Sequence, residues 1–152
     1  MGTQQILLIV LSVIIVGAAI AVGIQMFNAQ AYSANKSAIA ADAQSFASQV
    51  VQYYKTPESQ GGAGGNVANM TVAKIGGYIG WGGHSTNNDS GEYIITAETT
   101  TVTIYGLGKE VKGGKRPAVR TRVTLADGTI NARAIDTEKT DIADVPSAAF
   151  GS

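Results

Sequence analysis

Side chains able to do covalent or metal chemistry are sparse in this chain. There is no cysteine, and the one histidine, His84, stands in the glycine-rich stretch Trp81-Gly82-Gly83-His84-Ser85. A metal or pH-sensing role would need partner His or Cys residues at ligand spacing. An exposed loop histidine is the plainer reading. Asn87-Asn88-Asp89-Ser90-Gly91-Glu92 is rich in oxygen donors but lacks the carboxylate spacing of a calcium loop. The glycines between positions 61 and 83 contain no GxxxxGK[ST] run and read as connectors. No nucleophile, base and orienting group come together, so the expectation is a non-enzyme without metal or cofactor.

Two other sets of residues carry chemistry of a different kind. Asn35-Lys36-Ser37, Asn69-Met70-Thr71 and Asn88-Asp89-Ser90 match the N-glycosylation pattern, which makes Asn35, Asn69 and Asn88 candidate modification sites. Charge is segregated along the chain. Lys109, Lys112, Lys115, Arg116, Arg120 and Arg122 lie close together, with Glu110 alone opposing them. Asp136, Glu138, Asp141 and Asp144 follow, with Lys139 among them. One reading places Lys112, Lys115 and Arg116 of one copy against Asp141 and Asp144 of another. The alternative is pairing within the chain or plain solvation, because exposed ion pairs contribute little. The formal net charge is zero, so nucleic acid is not the default partner.

The elements that position these groups are dominated by the N-terminal stretch. From Ile6 to Ile24 only Ser12 carries a polar side chain, and no charged side chain precedes Lys36. At about 1.5 Å per residue such a run spans a bilayer, and in lipid it must be helical to satisfy its own backbone. A cleaved signal ending at Ala29-Gln30-Ala31 is one reading, but no Lys or Arg precedes the apolar run. A permanent single-span anchor is a second. The third is a helix that rests in the membrane and then polymerises into a filament core. Gly17-x-x-x-Ala21 and Ala19-x-x-x-Gly23 are spacings that let helices approach closely.

No proline or glycine interrupts residues 25–55, and Tyr32, Ile39, Phe46, Val50 and Tyr53 fall on one helical face. One continuous helix from about Thr3 to Tyr54 follows, apolar all round and then amphipathic. Thr56-Pro57 ends it. The expected organisation is helix 1–55, a flexible Gly-rich connector 56–66 and a β-rich globular domain 67–152. A helical turn is expected around Met70–Ile75, and a polar loop from Gly82 to Gly91. From Glu92 the period changes to two. Val119, Thr121, Val123 and Leu125 alternate with Arg120, Arg122 and Thr124, and Ala126-Asp127-Gly128 reads as a hairpin turn. The expected fold is α+β, a long N-terminal helix packed on a four-stranded antiparallel meander. The tail from Thr137 is expected to be extended along the sheet or a neighbouring copy.

A long helix with an apolar first half, a Gly-rich connector and a small antiparallel sheet together resemble the type IV pilin and pseudopilin family. Members of that family usually carry a glutamate at the fifth mature position. Here that position is Gln5 if Met1 comes first, or Leu7 if Gly2 ends a leader, and the first acidic residue is Asp42. The resemblance implies a structural subunit of an extracellular, cell-surface pilus-like filament, a homopolymer. Its precursor would rest in the inner membrane before assembly and engage pilus assembly machinery. The filament core would be made by Ile6, Leu7, Leu8, Leu11, Ile14, Ile15, Ile20 and Ile24, with Gly17, Ala21 and Gly23 at close contacts. Two alternatives are a membrane-anchored extracytoplasmic binding module, using the sheet or the loop around Trp81, and a pseudopilin of a secretion system.

Overall fold

The computed structural model describes residues 2–148 and 150. A single helix, α1, runs from Gly2 to Lys55 without a break, 54 residues or about 80 Å. Its two halves differ as the side chains dictate. In the second half Tyr32, Ile39, Ala43, Ala47, Val50 and Tyr53 are buried on one face. Gln44, Ser48, Gln52 and Lys55 remain exposed on the other. Ala43 and Ala47 fill the gaps between the larger groups, and a side chain of one carbon lets the helix lie close to the sheet beneath it.

The sheet is a meander of five antiparallel strands in sequence order. They are β1 (Ser85–Asn87), β2 (Gly91–Ala97), β3 (Thr101–Gly108), β4 (Arg116–Thr124) and β5 (Thr129–Thr137). The alternation of β4 is as expected, with Val119, Thr121, Val123 and Leu125 buried. The expected count of four strands is corrected by β1, three polar residues inside the Gly82–Gly91 stretch that pair with Glu92–Ile94. A strand so short has no readable period. Its turn is made by Asn88, whose side-chain Oδ1 accepts from the Ser90 and Gly91 amides at 2.9 and 3.0 Å.

The helix packs on one face of the sheet. Ile39, Ala47 and Val50 meet Tyr93, Ile95, Val102, Ile104, Val119 and Val123 in one core. Phe46 sets its edge against Trp81 at 5.0 Å and Tyr93 at 5.2 Å between ring centres. Trp81 is therefore a core side chain, while Gly82 and His84 beside it in the loop are exposed. A short helix, α2, covers Val72–Tyr78, somewhat later than the expected turn, and buries Ile75 in the same core.

Two segments differ from expectation. The connector is ordered, because its amides close the open end of α1. Ala63, Gly65 and Gly64 donate to the carbonyls of Tyr53, Tyr54 and Thr56 at 2.9, 2.8 and 2.8 Å. These carbonyls have no partner within the helix. Gly61 supplies the left-handed turn, φ 82°, that brings the chain back. The tail is not extended throughout. Ile142–Ser147 forms a 3₁₀ turn that lays Val145 and then Phe150 on Leu107 and Ala118, on the sheet face opposite α1.

Candidate functional site

The first half of α1 is an unpartnered surface. Every large apolar side chain from Ile6 to Phe27 is between 50% and 71% exposed. Ile6, Leu7, Leu8, Leu11, Ile14, Ile15, Ile20 and Ile24 all lie in this segment, with Gly17 and Gly23 open on the same stretch. A Cβ built at either glycine meets nothing within 4 Å. Ser12, the one polar side chain of the Ile6–Ile24 run, donates its hydroxyl to the Leu8 carbonyl at 2.7 Å, so it asks nothing of its surroundings. The segment is long and apolar enough to cross a membrane, and none of it is buried inside the fold.

Sequence reasoning ended this surface at Ile24, where Gln25 interrupts the run. The exposed apolar surface continues through Met26 and Phe27, and the first buried side chain is Tyr32. Helical exposure does not stop at a single polar residue, so Phe27 belongs to the surface. A smaller apolar strip adjoins α1 on β5. Ile130, Ala132 and Ala134 pair with the helix-side residues Val123, Thr121 and Val119, yet all three are exposed. α1 lies mainly over β3 and β4 and meets β5 at Asp136, so the Ile130–Ala134 part of the outer strand is left exposed.

Where the helix enters the domain it is fixed by polar contacts. Tyr32 donates to Asp136 Oδ1 at 2.9 Å and Lys36 Nζ to the same oxygen at 2.7 Å. The Lys36 ammonium is the main cause holding the Asp136 carboxyl below its ordinary range. Nearly two turns beyond Lys36, Asp42 Oδ2 accepts from the Tyr93 hydroxyl at 2.8 Å, on a fully buried ring. Burial first, then that carboxylate, raise the Tyr93 phenol well above its usual range.

The three sequon asparagines all use their amide nitrogens inside the fold. Asn35 Nδ2 donates to the Ser90 carbonyl at 2.7 Å. Asn69 Nδ2 donates to Glu58 and Asn88 Nδ2 to Asp42. A sugar would replace one of the two N–H groups of each amide; at Asn69, whose nitrogen also donates to the Ala63 carbonyl, it would displace one of two bonds. In the oxygen-rich loop the Lys109 ammonium holds the Asn88 carbonyl. His84 is exposed, and its backbone carbonyl accepts from Ile95.

The charged segments come together within one chain. Lys112 and Lys115 flank the β3–β4 turn, where Gly113 and Gly114 adopt φ of 58° and 77°. Both lysines are exposed. Arg116 donates to the Thr140 carbonyl at 3.0 Å and ties the tail to the hairpin. Asp141 caps the 3₁₀ turn, accepting from the Ala143 amide at 2.9 Å, and Asp144 is exposed beside it. Arg116 and Asp141 thus serve their own chain, while Lys112, Lys115 and Asp144 face outward.

Comparison with protein-family models, with curated proteins and with solved structures finds no match to this chain.

Proposed function

We propose that this protein is a structural subunit of an extracellular, pilus-like filament and that it assembles through the first half of α1. The observation that carries the reading is the division of one unbroken helix. Residues after Tyr32 bury a face in their own domain, while the aliphatic side chains before it bury nothing. Exposed to water, such a surface would cost about 25 cal/mol for each Å² of apolar area. It must lie in lipid or against copies of itself.

The exchange between those two environments is close to neutral in hydrophobic terms, because lipid tails are as apolar as leucine. Packing then decides. Gly17, Ala21 and Gly23 leave room for a second helix to approach closely, and close approach multiplies dispersion contacts. In this mechanism the precursor rests in the inner membrane, assembly machinery withdraws it, and the apolar helices become the filament core. The β-domains form the shell.

The test is electron microscopy of material sheared from cells, with mass spectrometry of the subunit. Filaments made of this chain support the reading. Recovery only from detergent-solubilised membranes, as a single copy per micelle, overturns it in favour of a single-span anchor.

A further inference from the structure

The end of α1 borders a cleft built from several short segments. Tyr53 comes from the last turn of α1, and Glu58 from the 3₁₀ turn Glu58–Gln60. Asn69 closes the 3₁₀ turn Val67–Asn69, and Lys74, Gly77 and Tyr78 belong to α2. With Gly61 and Gly62 they line a space of about 500 Å³. That is within the range of small-molecule sites. The three glycines line it with backbone alone. A Cβ at Gly61 or Gly77 would meet nothing within 4 Å, so neither position is small for want of room in the subunit.

The polar groups of the cleft form one connected set. Lys74 Nζ donates to Asn69 Oδ1 at 2.9 Å, and Asn69 Nδ2 donates to Glu58 Oε1. The amide thus holds an ammonium on one side and a carboxylate on the other. An ammonium has three donors and a carboxylate about four acceptor sites, so both keep capacity beyond these bonds. Both N–H groups of Asn69 are used, since its nitrogen also donates to the Ala63 carbonyl at 3.3 Å. Two tyrosine rings stand alongside, 5.0 Å apart. Tyr53 is 3% exposed and donates its hydroxyl to the Asn69 backbone carbonyl at 3.3 Å, so it is fixed. Tyr78 is 38% exposed, which leaves part of a large ring free for a ligand.

We propose that this cleft binds a neutral saccharide. Sugar hydroxyls each donate and accept, and they surround a ring with an apolar C–H face. Lys74 supplies donors, Glu58 acceptors and Tyr78 the apolar contact. An ammonium and a carboxylate in one cleft give it no net preference for an anion or a cation. Tyr53 lies about 40 Å along α1 from Phe27, so burial of the apolar half in lipid leaves the cleft in water. The proposal does not rest on the filament reading. The test uses the full chain in polyoxyethylene-ether micelles, which carry no sugar headgroup. Intact mass comes first, because a glycan on Asn69 would itself fill the cleft, and finding one overturns the proposal. The protein is then titrated calorimetrically with maltose, cellobiose and N,N′-diacetylchitobiose, and with glycine betaine as a zwitterion. Saturable binding of at least one disaccharide at millimolar concentration is expected. Glu58→Gln should weaken it about tenfold or more, as for a lost bond to a charged group. Tyr78→Ala should weaken it about fivefold, as for a lost aromatic contact. Tyr78→Phe, which keeps the ring, and Lys112→Gln, on the β3–β4 hairpin, should bind as the parent does. Three results overturn the proposal. They are no saturable heat from any disaccharide, tighter binding of the betaine, and undiminished binding by both Glu58→Gln and Tyr78→Ala. Glu58 and Tyr78 are exposed, so unchanged circular dichroism of their variants separates lost binding from lost folding.

Discussion

Asp136 illustrates how a single exposed group connects pH to the helix–sheet joint. Its folded carboxyl is held below the ordinary value of 3.8, chiefly by Lys36. Folding therefore gains from this group above that value and loses the gain as pH falls through the lower, folded one. Nearly half of the side chain is exposed, so the contribution is screened and amounts to no more than about 1 kcal/mol. Asp136→Asn should lower the melting temperature slightly at neutral pH and flatten its decline below pH 3.8, read by near-ultraviolet circular dichroism. An unchanged acid limb would remove Asp136 from the joint. Gly91 acts through space instead of charge. A Cβ there would meet the Leu107 carbonyl oxygen at 2.3 Å and Ile39 at 3.1 Å. Backbone cannot step aside, so Gly91→Ala should cost about 1–3 kcal/mol or more in urea unfolding. Gly77→Ala, in α2 with open space around it, should cost nothing or add slightly to stability.

At the scale of elements, α1 is two helices in one. The glycine spacing of its first half bears on no contact inside the subunit. Gly17→Leu combined with Ala21→Leu should therefore leave the melting of the β-domain unchanged while filament yield after shearing falls severely. A fall in both would mean that the segment supports its own domain. The β3–β4 hairpin makes a parallel case. Arg116 is committed to the tail at Thr140, but Lys112 and Lys115 are exposed at the turn. If they meet acidic tails of neighbours such as Asp144, Lys112→Glu with Lys115→Glu should make filaments dissociate at lower salt. Unaltered salt sensitivity would leave both lysines as solvated surface. The three sequons also belong at this scale, since the amides of Asn35, Asn69 and Asn88 join separate elements.

For the molecule as a whole, the core begins at Tyr32, so removal of residues 2–28 should yield a water-soluble, folded monomer in sedimentation experiments, unable to bind vesicles or to form filaments. Aggregation of that form would show that the apolar half shields the domain. Much of this architecture was legible in the sequence. An unbroken apolar run, a seven- and four-residue stripe and a change of period to two each reflect which side of the chain must avoid water, and local chemistry dictates that. Ala43 and Ala47 were not legible as core, because an alanine carries no signal until a partner surface approaches it. Nor was β1, whose three polar residues become a strand only because β2 offers them hydrogen bonds. The connector looked flexible from its glycines, yet the free carbonyls at the end of α1 give its amides fixed partners. Arg133 lay outside the basic cluster in sequence, and only strand register set it opposite Arg120. Sequence by itself determined which surfaces must leave water, since that depends on side-chain chemistry alone. The tertiary structure decided which residues distant along the chain became neighbours, because pairing geometry depends on the fold as a whole.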